Sequence, residues 1–279
     1  MDAHSCPELL GSNNFLNFEE CDGCNGEFSK FESHLSKFFL PYLAVLRVKG
    51  KRKPPEFQSR TEQGDEFTRT TIRAAAPERL ELIVGKEDDV VIDHERKQLS
   101  IRFRLPPHKP LYVYKALVKI GLSLLPPERV PKYQIIFDWI KGLSGETAYF
   151  PIVFITRLNR RKFARPSAEL YEAGSIFSED GFNPELTLIV NFGNLVAQIF
   201  LPLSSGFDYE YSNHQTPILE VFPASVPYNQ DKKAYQHSKP ADIITINYHF
   251  TSIDLGSDES CIRDELIDFT FQDILSSET

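Results

Sequence analysis

The sequence predicts an α+β protein: a small strand–loop–strand–helix piece at the amino terminus, then a larger mixed domain with a mainly antiparallel sheet. Three observations predict it. Phe28, Phe31, Leu35, Phe38 and Tyr42 recur at intervals of three and four, the spacing of one helical face. Two further apolar stretches, PLYVYKALVKIGLSLLP and ERVPKYQIIFDWIKG, are bracketed by prolines and read as helices. The carboxy-terminal half is dominated by β-branched and aromatic runs separated by turn residues, as strands are.

Taken in order, residues 1–26 are polar and rich in Asn, Gly and Cys, which suits a loop or hairpin tied by a metal. The aromatic helix follows, starting just past Asn25, with Pro41 expected to kink or end it. Residues 47–76 hold Gly50 and the Pro54–Pro55 pair in a polar context and read as a connector. The expected organisation is a module over 1–46, a basic and polar linker over 47–77 and an α+β domain over 78–279. Within that domain VVIDHERKQLSIRF alternates on both sides of a charged turn, a hairpin pattern. The strands expected after the two helices are YFPIVFITRL, ELTLIV, LVAQIFLPL, TPILEVFP and ADIITINYHF.

Composition narrows the function classes. The net charge of −8, from 31 basic and 39 acidic residues, argues against non-specific coating of nucleic acid but leaves room for a local basic site. Basic residues cluster in RVKGKRK (Arg47 to Lys53) and RLNRRKFAR (Arg157 to Arg165), whereas the tail from Thr251 is acidic. The stretch Leu186 to Leu203 is broken by Asn191, Gly193, Asn194 and Gln198, so it reads as two strands around an NFGN turn, with no membrane span. No secretory signal opens the chain. Four cysteines, three of them in the first 24 residues, fit a metal site in a reducing cytoplasm better than a disulfide framework.

The chemistry concentrates at the amino terminus. Cys21 and Cys24 have zinc-ligand spacing, and His4, Pro7, Leu10, Gly11 and Asn25 surround them. A strand, a loop, a second strand and a helix would converge polar groups where the helix starts. Such a place can hold a divalent cation between an imidazole and an amide oxygen.

This pattern, H-x-x-P-x-x-L-G, a loop, then C-x-x-C-N, resembles the HNH endonucleases over about residues 3–45, roughly a sixth of the chain. The resemblance implies a ββα-metal (HNH) module that hydrolyses phosphodiester bonds, most naturally of DNA, with RNA also compatible. His4 would be the general base, and its ordinary pKa of about 6.5 suits a base at neutral pH. Asn25 would ligate the catalytic Mg2+ or Mn2+, Asn17 would orient the loop and the histidine, and Cys21 and Cys24 would hold a structural Zn2+. Arg47, Lys49, Lys51, Arg52 and Lys53 would contact the phosphate backbone. A homodimer is compatible, since cutting both strands takes two active sites.

Three features depart from the pattern. Ala3 stands where the family often has an acidic metal ligand, Cys6 stands before Pro7 in place of an apolar residue, and an upstream CxxC is absent. The expectation is therefore a chain that starts inside the motif. Two other readings use the same residues. His4, Cys6, Cys21 and Cys24 together would make a closed four-ligand zinc site without a base, in a non-catalytic zinc-stabilised nucleic-acid-binding protein. Alternatively the acidic carboxy-terminal domain would be a protein-interaction module. Asp93-His94-Glu95 falls in a hairpin turn and reads as solvated, His34 as an exposed helix residue, and RLNRRKFAR as a surface strand end whose Phe163 could stack a base. His108, His214, His237 and His249 have no partner legible in the sequence.

Overall fold

The aromatic face anticipated between Phe28 and Tyr42 forms one long helix, α1, running from Asp22 to Val45. Phe28, Phe31, Leu35, Phe38 and Tyr42 are all buried along it. The computed structural model describes residues 3–4, 10, 16–17, 22–49, 54–63, 66–76, 79–143, 152–158, 163, 166–173, 177–178, 181–182, 185–202, 204, 243–249 and 264–270. The expected strand TPILEVFP lies outside them.

Helix α1 differs from expectation at both ends. It starts at Asp22, so Cys24 and Asn25 lie inside its first turn. It also runs through Pro41 to Val45. Proline removes one N–H from the ladder, but Leu43, Ala44 and Val45 are buried and hold the last turn against the core. The helix stops through a Schellman arrangement: the N–H of Val48 bonds Leu43 O at 2.9 Å and that of Arg47 bonds Ala44 O at 3.2 Å. Arg47 takes the left-handed position, at φ 53°, that glycine usually fills.

Residues 57–63 and 66–76 are strands, not a connector. β3 (Phe57–Gln63) pairs antiparallel with β4 (Glu66–Ala76), and β5 (Arg79–Ile83) completes a three-stranded sheet. Polar and charged residues fill most of both strands, and one cross-strand pair, Phe57 opposite Ile72, carries much of the burial. That leaves too few apolar positions for an alternating pattern to stand out.

The charged hairpin is present as β6 (Val90–Asp93) and β7 (Gln98–Arg104), its turn closed by the Arg96 N–H on Asp93 Oδ1 at 2.8 Å. The acidic tail supplies the third strand of this sheet: β15 (Asp264–Thr270) pairs with β7 along its whole length. Ser59 accepts the Arg104 N–H at 2.8 Å, and Phe57 meets Phe103 edge-on at 5.3 Å, so this sheet and the β3–β5 sheet adjoin.

Two helices were expected next, and both form. α2 spans Pro110–Leu122; a 3-10 stretch, Pro127–Tyr133, leads into α3, Gln134–Ile140. α2 lies on a five-stranded antiparallel sheet built from β8 (Ile152–Leu158), β9 (Ser167–Glu172), β12 (Leu186–Phe192), β13 (Leu195–Phe200) and β14 (Ile243–His249). Its order is β14-β8-β13-β12-β9. Short ribbons, β1–β2 (Ala3–His4 with Leu16–Asn17) and β10–β11 (Phe177–Ser178 with Gly181–Phe182), complete the described strands. Every strand pairing among the described residues is antiparallel, and the class is α+β as expected.

Close approach of α2 to the sheet has a residue-level cause. A methyl group on Gly121 would sit 3.0 Å from Leu201 and 3.5 Å from Leu170, so glycine sets the spacing. The Tyr114 hydroxyl then reaches the Phe200 carbonyl at 2.5 Å. The NFGN segment is the expected turn, and every residue of β12 and β13 is buried. One apolar cluster runs from Leu10 through α1, α2 and these strands to Phe269.

A charged network closes one edge of the five-stranded sheet. The Glu185 carboxylate, buried, accepts from the Ser204 N–H at 2.9 Å, the Ser204 hydroxyl at 3.1 Å and the Lys132 ammonium. Burial pushes this carboxyl up, but the bonds from Lys132 and Ser204 outweigh it and hold it below its ordinary range. A folded pKa below the unfolded one contributes stability above the unfolded value, and that stability is lost as pH falls through the folded value. Glu185→Gln should therefore cost about 1–2 kcal/mol at pH 7, discounted for the half-exposed Lys132. The gap from wild type should close as pH falls below about 4 in urea titrations. A gap that stays constant down to pH 3 would show that the ionised form is not what the network holds.

Candidate functional site at the start of the first helix

The residues singled out at the amino terminus meet a simple backbone frame. β1 and β2 pair antiparallel, with Ala3 opposite Asn17 and His4 opposite Leu16. Helix α1 enters at Asp22, a few residues after Asn17. In the ladder His4 therefore faces Leu16, and Asn17 sits one position along. Leu10, from the Leu-Gly pair of the motif, is fully buried in the common apolar cluster.

Cys24 and Asn25 are half-buried in the first turn of α1. Cys24 packs against the apolar cluster, one turn before Phe28. Gly26, next to Asn25, is exposed, and an added methyl group would meet nothing within 4 Å. Ser29 donates its hydroxyl to Gly26 O at 2.7 Å and closes the first turn. A thiol and a carboxamide oxygen are donor types that suit zinc and a hard divalent cation respectively. Among the described residues no three His, Cys, Asp or Glu side chains gather as a metal site. Cys6, Pro7, Gly11 and Cys21 lie outside the described residues.

The basic run after α1 separates into parts. Arg47 is buried at the helix stop, where its backbone terminates α1, so it is not the exposed phosphate contact expected of it. Lys49 is exposed and retains that role as a candidate; Lys51, Arg52 and Lys53 lie outside the described residues. In RLNRRKFAR, Phe163 is half-buried and donates its N–H to Gly193 O at 2.6 Å. Arg160, Arg161, Lys162 and Arg165 lie outside the described residues.

His34 is a helix–helix contact, not an exposed residue. Its Nδ1 accepts the Lys109 N–H at 2.9 Å, at the entry to α2, and its ring meets Tyr112 edge-on at 5.1 Å. His108 is wholly buried, bonded to Pro106 O at 3.0 Å and set against Phe38. Of the other three histidines without a legible partner, His249 ends β14, and His214 and His237 lie outside the described residues.

Sequence reasoning missed a seam of cations and aromatic rings between α1 and α2. The ammonium groups of Lys30 and Lys115 lie 5.1 and 5.7 Å from the centre of the same Phe31 ring. Lys115 also sits 4.6 Å over Trp139 and donates to its carbonyl at 3.2 Å. Lys109 lies over Tyr112 at 4.9 Å and Lys119 over Phe28 at 5.9 Å. Lysines spaced along two helices read as solvated, and only the packing of α1 on α2 brings them to one seam.

Comparison with known protein families, with curated proteins and with solved structures finds no match to this chain. No helix among the described residues is long and apolar enough to cross a membrane.

Proposed function

We propose that this chain is an HNH-type endonuclease that hydrolyses DNA phosphodiester bonds. The reading is supported above all by the order and pairing of the first three elements. A two-strand antiparallel ribbon carries His4 and Asn17, and the helix directly after it carries Cys24 and Asn25 in its first turn. A ββα order with a histidine on the first strand and an asparagine at the helix start suits such an enzyme. In such an enzyme a proton acceptor and an amide oxygen would work together at one end of a helix.

In this reading His4 takes the proton from the attacking water, Asn17 steadies the segment that bears it, and Cys21 and Cys24 hold a zinc ion that pins the fold. A divalent cation at Asn25 would supply charge neutralisation at the scissile phosphate. The open surface at Gly26 gives a phosphodiester room to approach.

A plasmid-nicking assay with Mg2+ or Mn2+ tests the proposal. His4→Ala should lose at least about 100-fold in rate, the scale of a positioned general base. Equal nicking by wild type and variant ends the role of His4. Metal analysis of Cys24→Ser supplies the second arm: zinc content should fall, and unchanged zinc removes the zinc knot from the argument.

A further inference from the structure

We propose that the Lys30–Lys115 seam between α1 and α2 binds the phosphate backbone of DNA beside the helix start. The proposal rests on the nuclease reading for the identity of its ligand, but its evidence is separate. Lys115 is half-buried on α2, and among the described residues no carboxylate lies within ion-pair distance of its ammonium. Its ammonium donates to the Trp139 carbonyl and lies against the faces of Trp139 and Phe31. Burial, and secondly repulsion from Lys30, pull its pKa down, so the folded chain holds this charge at a cost. A second ammonium on the same ring adds to that cost instead of relieving it. An anion placed between the two relieves both terms.

The chemistry selects a phosphate oxyanion. Lysine binds phosphate as a mobile point charge. Phe31 and Trp139 are 3% and 5% exposed, so neither offers a face on which a base could stack. The seam therefore holds the backbone without reading sequence. Among the described residues Glu27 pairs with Lys30 at 3.4 Å, both exposed, and Glu32 with Lys119 at 3.5 Å. Lys30 follows Asn25 by five residues on α1, about 7.5 Å along the axis. A strand lying along the seam would run within about two turns of the start of α1 along its axis. This surface takes the place of Arg47, which is buried.

The test is the binding of fluorescein-labelled duplex DNA to the full chain, by anisotropy, across a salt series without divalent metal. Lys115→Met should weaken binding about 3–10-fold, Lys30→Gln about 2–3-fold, and the pair at least about 10-fold. The slope of log K against log salt should fall by about 0.9 for each lysine removed. Lys115→Arg keeps the charge and should bind within about twofold of wild type, separating charge from packing. Lys97→Gln, on the β6–β7 turn, should change nothing. Inorganic phosphate should compete only at concentrations that act through ionic strength; competition well below that marks a free-phosphate site and overturns the proposal. So does unchanged affinity and slope in the double variant, an equal loss in Lys97→Gln, or a wild type that does not bind duplex DNA. Nicking by wild type together with unchanged binding by the lysine variants sinks this seam alone. Reduced binding by them with His4→Ala nicking as wild type sinks only the catalytic role of His4.

Discussion

Phe39→Ala should destabilise the chain by about 4 kcal/mol, with the urea midpoint falling and the slope of the transition unchanged. Phe39 is fully buried on α1 and meets three rings edge-on: Phe38 at 4.9 Å, Phe192 at 4.8 Å and Tyr42 at 6.5 Å. Phe192 belongs to β12, an inner strand of the five-stranded sheet, so Phe39 joins the amino-terminal helix to the larger domain. Truncation removes the transfer free energy of a phenyl ring and leaves a cavity between elements that cannot both collapse into it. The edge-on pairs add about 0.5–1.5 kcal/mol each beyond area burial. A cost below about 1 kcal/mol would mean that α1 docks loosely on an independent domain, as the sequence suggested with its module and linker.

Gly193→Val is expected to cost about 3 kcal/mol and to lower the melting temperature by roughly 6–10 °C. Gly193 opens the two-residue turn between β12 and β13, at φ 56°, the positive value that hairpin turns ask of glycine. A β-branched residue there pays about 1–2 kcal/mol for the left-handed backbone. The new Cβ would also stand 3.0 Å from Val48 Cγ2 and 3.3 Å from Leu46 Cδ1, both just past the end of α1. Crowding of that kind costs a further 1–3 kcal/mol or so. Gly193→Asn separates the two terms, since asparagine tolerates positive φ but keeps the Cβ. Its cost should lie between zero and that of valine. A melting temperature for valine within 2 °C of wild type, at about 2–4 °C per kcal/mol, would show that the turn can move away from α1.

Legibility followed burial. The face of α1 and the helices α2 and α3 bury apolar residues at helical spacing, and β12 and β13 bury nearly continuous apolar runs, so each stood out. β3, β4 and β15 did not. Their side chains are mostly charged or hydroxylic, and a few positions such as Phe57, Ile72 and Phe269 do the burying. A strand held by pairing with a neighbour leaves little signal in its own residues. The candidate donors at the amino terminus, namely His4, Asn17, Cys21, Cys24 and Asn25, could be listed from the sequence because donor types and spacing are local properties. Arg47 was misread because its role is a backbone one, at a left-handed helix stop.

The residues by themselves determined the α+β class, the aromatic helix face, the turn at Gly193 and the candidate donors near Cys24. All of these depend on period, turn chemistry or local spacing. Only the tertiary structure decided that α1 shares one core with the sheet, that Arg47 is buried and that Lys30 and Lys115 meet over Phe31. Each of those joins positions far apart in the chain. Charge repulsion and desolvation act through space, and spacing along a sequence carries no record of them.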